Sequence, residues 1–579
     1  MYIERVPNRN SPPAVLLREG WREDGKIKKR TIANLSHLPD HIIENLRAAL
    51  KNEVVPAAQA IVDPEQALVL HDARPHGHVA AVLGTLRRIG LERMIDRRAC
   101  RERDVAVAMI VDRLLCGDSK LATARHCHAD TATSSLGSIL DLDDLSEKEC
   151  YAAMDWLLER QPAIQKRLAA QHLDPGGMVL FDLTSSYFEG HACPLAAHGY
   201  SRDHRRDRPQ VVYGMYCNAL GVPIGVDVFP GNTNDHRAFP QAVERARSDF
   251  GIDQVVFVGD RGMISGKAID NLLRDSDGAG WITALTNSAI ASLERQGAIQ
   301  TTWFDEQDLI AITHPDHPEE RLVVCRNPLL ADERRRKREE LLIETEKKLA
   351  AVQQRVRRDY RPLRGQDAIG VAIGKVIDTK KMAKHFDTCI TDDDVTFERN
   401  QQRIDKEATL DGLYIIRTSV PEQQMSAEDI VANYKNLARV ERAFQSLKSI
   451  NISVRPIYHH LEERVRAHIF LCMLAYYVEY AMRRALAPIL FHDEIVDRDR
   501  LSVVQPARRS AEAQAKDSTK KTSDGCPVSS FRDVIAGLQA ITKTRVTIRN
   551  HPAQGFTKMS TPSPYQNTII ELLGVQRHL

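Results

Sequence analysis

The sequence has no pair of cysteines at the close spacing that zinc ribbons and redox-active disulfides use. Its ten cysteines are scattered along 579 residues, and no two of them form a CxxC pair. A secreted disulfide framework and a paired-cysteine metal site are therefore not indicated. Because reduced thiols are typical of cytoplasmic proteins, we expect a cytoplasmic location.

Long apolar runs are also missing. The N-terminus has no apolar segment of the kind found in a signal peptide. The longest apolar stretch, Ile469–Met482, is interrupted by Glu479 and is too short to span a bilayer. We therefore expect no membrane partner, and we predict that this stretch is a buried helix.

Neither sign of charge is in clear excess. The chain has 80 Lys and Arg against 78 Asp and Glu, which gives a formal net charge of +2. Any contact with DNA must then come from locally clustered charge rather than from a basic surface. The length and the 43% hydrophobic content are typical of a globular protein, and this length predicts about two to four domains.

The N-terminal part divides into a β-rich and a helical region. Residues 1–75 contain short extended pieces, such as Ala14–Arg18 and Lys28–Ala33, around glycine turns. Residues 76–174 repeat apolar residues at helical spacing and include an arginine-rich connection. We predict that this helical domain binds DNA, although a solvated turn between two helices explains the arginines equally well.

Residues 175–285 have the pattern of a mixed α/β sheet. Buried strands are predicted first at Gly177–Thr184, Val211–Ala219 and Val222–Val228. A helix, a strand ending at Val258, a second helix and another strand follow. This order predicts a sheet that begins with an antiparallel meander.

The remaining segments complete the expected organisation. Residues 286–425 are predicted to form an insertion with β-like pieces and a charged helical seam between Leu342 and Val356. Residues 426–490 return to the α/β domain. Residues 491–579 are expected to form a C-terminal region, with a flexible linker near 505–530 that is rich in Ala, Ser, Lys and Asp.

Two acidic residues stand at the ends of apolar strands. Asp182 follows one buried strand and Asp260 follows another. An acidic side chain in such a place is costly unless it is paired or binds a cation. Carboxylate oxygens are the ligands that Mg²⁺ prefers, so the pair predicts a magnesium site at one edge of the sheet. Either aspartate alone is better explained as a cap or turn residue.

A predicted helix after Ser426 carries a third carboxylate. Ser426, followed by an acidic residue three positions later, is typical of a helix N-cap. Tyr434, Glu441 and Lys448 then follow at steps of seven residues. Each such step drifts by only about 20° around a helix, so the three side chains are predicted to line one face. An amphipathic helix with incidental polar residues explains the pattern equally well.

The two aspartates and this helix resemble the bacterial insertion-sequence transposases with a DDE triad. The closest resemblance is to the insertion-sequence-four superfamily, whose signature has Tyr, Glu and Lys at this spacing and an Arg three residues after the Tyr. Here Leu437 stands at the Arg position, and Arg439 is nearby. This departure is similar to the divergent sixteen-thirty-four-like branch. The long separation of Asp260 from Glu441 agrees with the insertion typical of the superfamily.

The resemblance implies a fold, a reaction and partners. It implies a ribonuclease-H-like catalytic domain that a β-rich and helical insertion interrupts. Asp182, Asp260 and Glu441 would hold two Mg²⁺ ions, with Mn²⁺ as a substitute. The implied cut-and-paste reaction cleaves DNA at the terminal inverted repeats and joins it to target DNA. A homodimer is expected in the synaptic complex, associated with the bacterial nucleoid when DNA is bound.

The resemblance and local charge also nominate contacts to DNA. Tyr434 and Lys448 are implied to contact phosphates of the transposon end. A flexible solvated loop explains the basic run 202–208 nearly as well as a path for the DNA backbone. The full set of DNA-contact candidates is Tyr434, Lys448, Arg439, Arg455, Arg205 and Arg206.

Two other functions could use the same residues. One is a ribonuclease-H-like nuclease that cuts nucleic acid without strand transfer, and the other is an inactive relative that only binds DNA. The long insertion and the Tyr-Glu-Lys helix argue against the first. The presence of all three carboxylates argues against the second.

Overall fold

The computed structural model describes most of the chain. The described residues are 1–8, 12–23, 25–51, 68–174, 177–190, 192–248, 250, 255–274, 279–304, 307–449, 452–493, 502–505, 509–549 and 551–578. They form two compact units. One contains residues 1–73 and 543–559, and the other contains residues 74–542 and 560–579.

The strands are β1 (Tyr2–Val6), β2 (Ala14–Glu23), β3 (Lys26–Asn34), β4 (Leu68–Pro75), β5 (Met178–Tyr187), β6 (Gln210–Asn218), β7 (Pro223–Pro230), β8 (Val255–Val258), β9 (Ala279–Ala284), β10 (Leu309–His314), β11 (His317–Arg326), β12 (Phe386–Ile390), β13 (Val395–Arg399), β14 (Leu413–Thr418), β15 (Thr542–Ile548) and β16 (His551–Met559). The α-helices are α1 (Asp40–Leu50), α2 (Gly77–Arg88), α3 (Leu91–Ile95), α4 (Arg101–Leu115), α5 (Lys120–Cys127), α6 (Leu136–Leu140), α7 (Glu147–Glu159), α8 (Gln161–His172), α9 (Asp235–Ser248), α10 (Gly266–Ala268), α11 (Asn287–Arg295), α12 (Pro328–Arg357), α13 (Gln366–Thr379), α14 (Gln401–Ala408), α15 (Ala427–Lys435), α16 (Leu437–Lys448), α17 (Glu462–Ala485), α18 (Ala511–Thr519), α19 (Phe531–Leu538) and α20 (Pro564–Leu573). Short 3₁₀ turns lie at Thr301–Phe304, Ala383–His385, Ala487–Ile489 and Gln576–His578, and a π-helical turn, Ile269–Leu273, follows α10.

The smaller unit contains two three-stranded sheets. Strands β1, β2 and β3 form an antiparallel meander, and β16, β15 and β4 form the second sheet in that order. Ile3, Val15 and Ile43 make a small buried core in which α1 takes part. The extended pieces predicted near the N-terminus lie within β2 and β3. The participation of the tail was not predicted, because pairing between distant segments leaves no local periodicity.

The larger unit is organised around an eight-stranded sheet with the order β10-β11-β14-β9-β8-β5-β6-β7. Strands β5, β6 and β7 form the predicted antiparallel meander, and β8 and β9 continue the sheet parallel to β5. A meander followed by parallel strands is the ribonuclease-H-like arrangement. The predicted mixed α/β fold is therefore confirmed.

One part of the expected insertion joins the sheet, and another part forms a helical hairpin with its own hydrophobic core. Strands β10, β11 and β14 fall within residues 286–425, yet they extend the sheet beyond β9 through antiparallel pairing. Helix α11 and the 3₁₀ turn Thr301–Phe304 pack with these strands, and a helical hairpin of α12 and α13, with β12, β13 and α14, forms the other part of the segment. The hairpin buries the predicted seam, including Leu342, Leu349 and Val356, against residues of α13 such as Ile369.

One long buried helix, α17, links the helical region to the sheet. It packs against α2, α4 and α7 on one side and against β7 on the other. It contains the apolar stretch predicted to be a buried helix. Glu479 within it is fully buried, accepts hydrogen bonds from Ser446 (2.7 Å) and Arg483 (2.6 Å), and thereby tethers α16. None of the helices described here combines the length and the apolar character needed to cross a bilayer.

The segment expected to be a flexible linker contains ordered structure. Its described part includes helix α18, which Ser510 caps by accepting a hydrogen bond from the Ala513 N–H at 3.1 Å. The Ser510 hydroxyl also donates to Asp493 at 2.8 Å. The prediction of flexibility was based on amino-acid composition, and composition does not reveal capping contacts of this kind. Residues 506–508 lie outside the described residues.

Candidate active site

Adjacent parallel strands bring Asp182 and Asp260 to the same edge of the sheet. In the pairing of β5 with β8, Leu180 lies opposite Val258. Asp182 and Asp260 each follow their paired residue by two positions. Neighbouring strands are about 4.8 Å apart, so the strand register sets the two carboxylates side by side.

Asp182 is strongly affected by its surroundings. It is half-buried, and its pKa is raised to about 7. Burial is the main cause, and the negative charges of Asp260 and Glu441 raise the pKa further. The Leu183 N–H, which donates to Oδ1 at 2.8 Å, opposes these effects, as does Arg202. Asp260 and Glu441 are therefore near enough to Asp182 for their charges to interact with it.

The turn after β8 presents Asp260 to solvent. Asp260 is exposed, and its Oδ1 accepts a hydrogen bond from the Met263 N–H at 2.8 Å. Gly262 lies between two carboxylates, because a Cβ placed on it would be 3.4 Å from Oδ1 of Asp260 and 3.7 Å from Oδ2 of Asp235. Asp235, at the start of α9, is therefore a fourth carboxylate near the site.

Glu441 reaches the site from helix α16, which packs on β5. Val440, Ala443, Phe444 and Leu447 are its buried anchors. The ring of Phe444 contacts Tyr213 of β6 edge-to-face, with centroids 6.0 Å apart. Glu441 itself is exposed, so this helix holds a charged side chain at the sheet edge without burying it.

The predicted single helix is interrupted, which corrects the argument from one continuous stripe. Helix α15 ends at Lys435 and α16 begins at Leu437, with Asn436 between them. The predicted cap is confirmed, since the Ser426 side chain accepts from the Asp429 N–H at 3.1 Å. Tyr434 therefore lies on a different helix from Glu441.

Tyr434 nevertheless remains close to the carboxylates. It is half-buried, and its pKa is raised by burial first and then by the charges of Asp260 and Glu441, while Arg261 opposes this. A tyrosine hydroxyl in this place can donate a hydrogen bond to an anion bound near the carboxylates.

Lys448 and Arg455 meet at a residue that was not predicted. Both contact Oδ1 of Asp203, in the loop between β5 and β6; the Lys448 distance is 2.8 Å. Arg202, the preceding residue, forms an ion pair with Asp235 at 2.7 Å. The only sequence signal for these contacts was the basic run 202–208. The aspartates within that run follow no helical or strand periodicity, so the pattern did not single out Asp203.

The other DNA-contact candidates occupy different surroundings. Arg439 donates to the Ala219 carbonyl at 2.8 Å and packs on Gly221, in the turn between β6 and β7. Arg205 forms an ion pair with Asp207 at 3.1 Å, and Arg206 is exposed. Arg439 thus contacts a turn about four residues along the strands from Asp182, whereas the two loop arginines remain open to solvent.

The chemistry of the donor set suits hard divalent cations. The three carboxylates are near enough for their charges to interact, although their oxygens do not all lie within 4.8 Å of one another, and Asp182 has its charged form disfavoured by burial and by its neighbours. Such a group is stabilised when cations neutralise the set. Asp182, Asp260 and Glu441 therefore offer the type of ligand that a divalent metal site uses.

A second group of possible ligands lies in the helical region. Atoms of Asp112, Cys116 and His126 lie within 4.8 Å of one another. Asp112, however, already accepts hydrogen bonds from Thr123 (2.7 Å) and from His126 Nδ1 (2.9 Å). The ion pair with Asp112 raises the pKa of His126 to about 10, so this group is satisfied without a cation.

Comparisons with known families give two matches. Residues 178–478, just over half of the chain, match the family described as "Transposase DDE domain". Residues 3–59 match the family described as "IS1634 family transposase, N-terminal domain". No curated protein matches the chain.

One solved structure resembles the chain over most of its length. It is a piggyBac transposase synaptic complex with hairpin DNA, determined by cryo-electron microscopy. The sequence identity is 8%, the TM-score is 0.32, and the match covers 69% of this chain and 71% of the other.

Proposed function

Because the chain belongs to the Transposase DDE domain family, with the N-terminal domain of the IS1634 family of transposases, we propose that Asp182, Asp260 and Glu441 are its catalytic carboxylates. The family makes the protein an insertion-sequence transposase, an enzyme that cleaves DNA and transfers the cut strand. The observation that carries the residue assignment is the register of β5 and β8, which sets Asp182 beside Asp260, together with the packing of α16, the helix of Glu441, on β5.

The three carboxylates would hold divalent metal ions, which DDE transposases use. We assign two Mg²⁺ ions to the site, with Mn²⁺ as a substitute, because all the ligands are carboxylate oxygens. When bound, such ions lower the pKa of an attacking water or 3′-hydroxyl and stabilise the leaving oxygen. Asp182 would be the central one of the three residues that hold these ions, since the charges of both Asp260 and Glu441 act on it.

The protein's own side chains orient the scissile phosphate around these carboxylates. Tyr434 can donate a hydrogen bond to a phosphate oxygen, and Lys448 and Arg455 supply positive charge. Arg202, held by Asp235 at 2.7 Å, adds a guanidinium close to Asp182. Such cations counter the repulsion between a negative phosphate and the carboxylates.

Further DNA contacts are assigned to exposed basic groups. Arg205 and Arg206 extend the interface along the loop between β5 and β6. In the helical region, Arg93, Arg97 and Arg167 are exposed and line one groove. Three arginines in one groove can follow a DNA backbone, because guanidinium groups bind phosphate in bidentate fashion. Arg439 is less available for a contact with DNA, since it donates a hydrogen bond to the carbonyl of Ala219 in a turn.

The assembly proposed for the reaction is a homodimer. Joining two transposon ends to target DNA requires two active sites, and two copies of one chain supply them by symmetry. The partners would be terminal inverted repeats and target DNA. We assign the protein to the bacterial cytoplasm, in association with the nucleoid when it is bound to DNA.

The test uses Glu441→Gln and a matched control, Glu428→Gln. Glu428 is an exposed glutamate in the first turn of neighbouring helix α15, outside the carboxylate cluster. The substrate is the protein's own transposon end with a supercoiled target. Cleavage and strand transfer are measured with Mg²⁺, and DNA binding is measured with Ca²⁺.

Glu441→Gln should abolish cleavage and strand transfer while specific binding remains, because it removes a metal ligand but no phosphate contact. Glu428→Gln should behave as the unaltered protein. Cleavage at an undiminished rate in Glu441→Gln would refute the assignment. Cleavage without any strand transfer by the unaltered protein would instead favour a nuclease.

A further inference from the structure

Asp203 is a buried carboxylate that connects two cations from different parts of the chain. Its Oδ1 contacts Lys448 at the end of α16 and Arg455 in the segment after it. Its Oδ2 accepts a hydrogen bond from the Tyr187 N–H at 3.2 Å, at the end of β5. The Asp203 side chain is only 1% exposed.

A carboxylate this deeply buried is stable only if it is paired. The reverse dependence also holds. Burial lowers the pKa of Lys448, and Asp203 is the main group that opposes this shift. Without Asp203, the two cations would repel each other across the place it occupies.

We propose that Asp203 is a positioning residue that fixes Lys448 and Arg455 as one binding site for a single DNA backbone phosphate. This inference rests on the proposed function. The cluster of one anion and two cations has a net positive charge, which attracts a phosphate. Each contact with Asp203 needs one donor, whereas a lysine has three and an arginine five.

The accessible surface indicates that Asp203 supports the phosphate site and does not compete with the phosphate. The carboxylate is 1% exposed, whereas Lys448 is 12% and Arg455 is 31% exposed. A phosphate can therefore reach the two cations from the solvent side while Asp203 holds them from within. Arg202, the residue before Asp203, pairs with Asp235 and joins this site to the carboxylate cluster.

The central experiment is a double-mutant cycle on the full chain. It compares Asp203→Asn alone with the same change in a Lys448→Gln, Arg455→Gln background. Asp207→Asn is the matched control, since Asp207 is an exposed aspartate of the same loop that pairs with Arg205. The readouts are the single-turnover cleavage rate at saturating DNA, the salt dependence of DNA binding, and the melting temperature.

Asp203→Asn should lower the cleavage rate about 10- to 100-fold, the effect of a small misplacement of positioning groups. The salt dependence should not weaken, because both positive charges remain. In the Lys448→Gln, Arg455→Gln background, Asp203→Asn should cause no further loss of rate. An unaltered rate in the single variant, or an equally large further loss in the background, would overturn the proposal.

The salt dependence provides a test that does not need a folded Asp203 variant. Removing one phosphate contact reduces the slope of log affinity against log salt by about 0.9. If Lys448 and Arg455 share one phosphate, their double substitution should reduce the slope by this amount and no more. A reduction of about twice that size, from two separate phosphates, would overturn the proposal. Full cleavage by Glu441→Gln would instead signal failure of the catalytic assignment.

Discussion

Replacing Asp182 with Asn should stabilise the metal-free protein although it removes a catalytic group. Asp182 is half-buried beside two other carboxylates, and its pKa is raised to about 7. Above that pH the Asp182 carboxylate is ionised. In the folded protein this charge is partly buried beside other negative charges, whereas in the unfolded chain it is hydrated by water. Asn avoids this charge and keeps an oxygen that can accept the hydrogen bond from Leu183.

The size of the effect follows from the two pKa values. The pKa rises from an ordinary value of 3.8 to about 7 in the folded protein. At about 1.4 kcal/mol per pKa unit, the charge destabilises the folded state by at most about 4 kcal/mol. A carboxyl group with a raised pKa destabilises the fold only when ionised, so the effect is absent below about pH 4 and complete above about pH 7. We expect the gain in the free energy of unfolding to be about 1–4 kcal/mol at pH 8.

Denaturant unfolding in EDTA at about pH 8 and pH 4 measures this difference directly. Asp174→Asn, an exposed aspartate just before β5, is the control and should change stability little. Added Mg²⁺ or Mn²⁺ should raise the unfolding midpoint of the unaltered protein more than that of Asp182→Asn. A variant that is less stable at pH 8, or a gain that is the same at both pH values, would refute the reasoning.

Two further predictions concern stability away from the active site. Asp112→Asn should destabilise the protein by about 2 kcal/mol at pH 6, because it removes the carboxylate that raises the pKa of His126 to about 10. A raised histidine pKa stabilises the folded protein only while the histidine is protonated, so unfolding curves should show the loss of stability shrinking between about pH 6.5 and 10. A loss of stability that does not change with pH would contradict the ion pair. Leu349→Ala should destabilise the hairpin of α12 and α13 by about 2–5 kcal/mol, because Leu349 is fully buried in its core. Hydrogen exchange should then lose protection in α12 and α13 while β5 stays protected, and an equal loss in β5 would mean that the hairpin is not an independent cooperative element.

The core of the candidate site could be predicted from sequence because its signals are local. Strand β5 begins with an apolar run that Asp182 interrupts in the middle of the strand, and β8 is a shorter apolar run that ends two residues before Asp260. The cap of α15 at Ser426 is equally local, since it depends on two residues three positions apart. Each of these features is determined by side chains within a few positions. The strands and the cap were predicted correctly, but the prediction that Asp182 ends its strand was wrong, because β5 continues to Tyr187.

The contacts that were missed join residues far apart along the chain. Asp203 meets Lys448 and Arg455, which follow it by more than 240 residues. Strand β14 pairs with β9 across the entire hairpin segment, and the chain's tail pairs with the N-terminal unit. Neither kind of contact produces a periodicity in a window of ordinary length, so a single sequence does not reveal it.

The break at Asn436 follows from the extended sheet. Helix α15 packs against β9, β10, β11 and β14, whereas α16 packs against β5. Strands in a sheet twist by roughly 20–25° from one to the next, so these two patches of the sheet face different directions. A single straight helix could pack against only one of these two patches. The interruption lets α15 follow the outer strands while α16 places Glu441 above β5, and the position of the third carboxylate thus depends on strands that the expected insertion contributes.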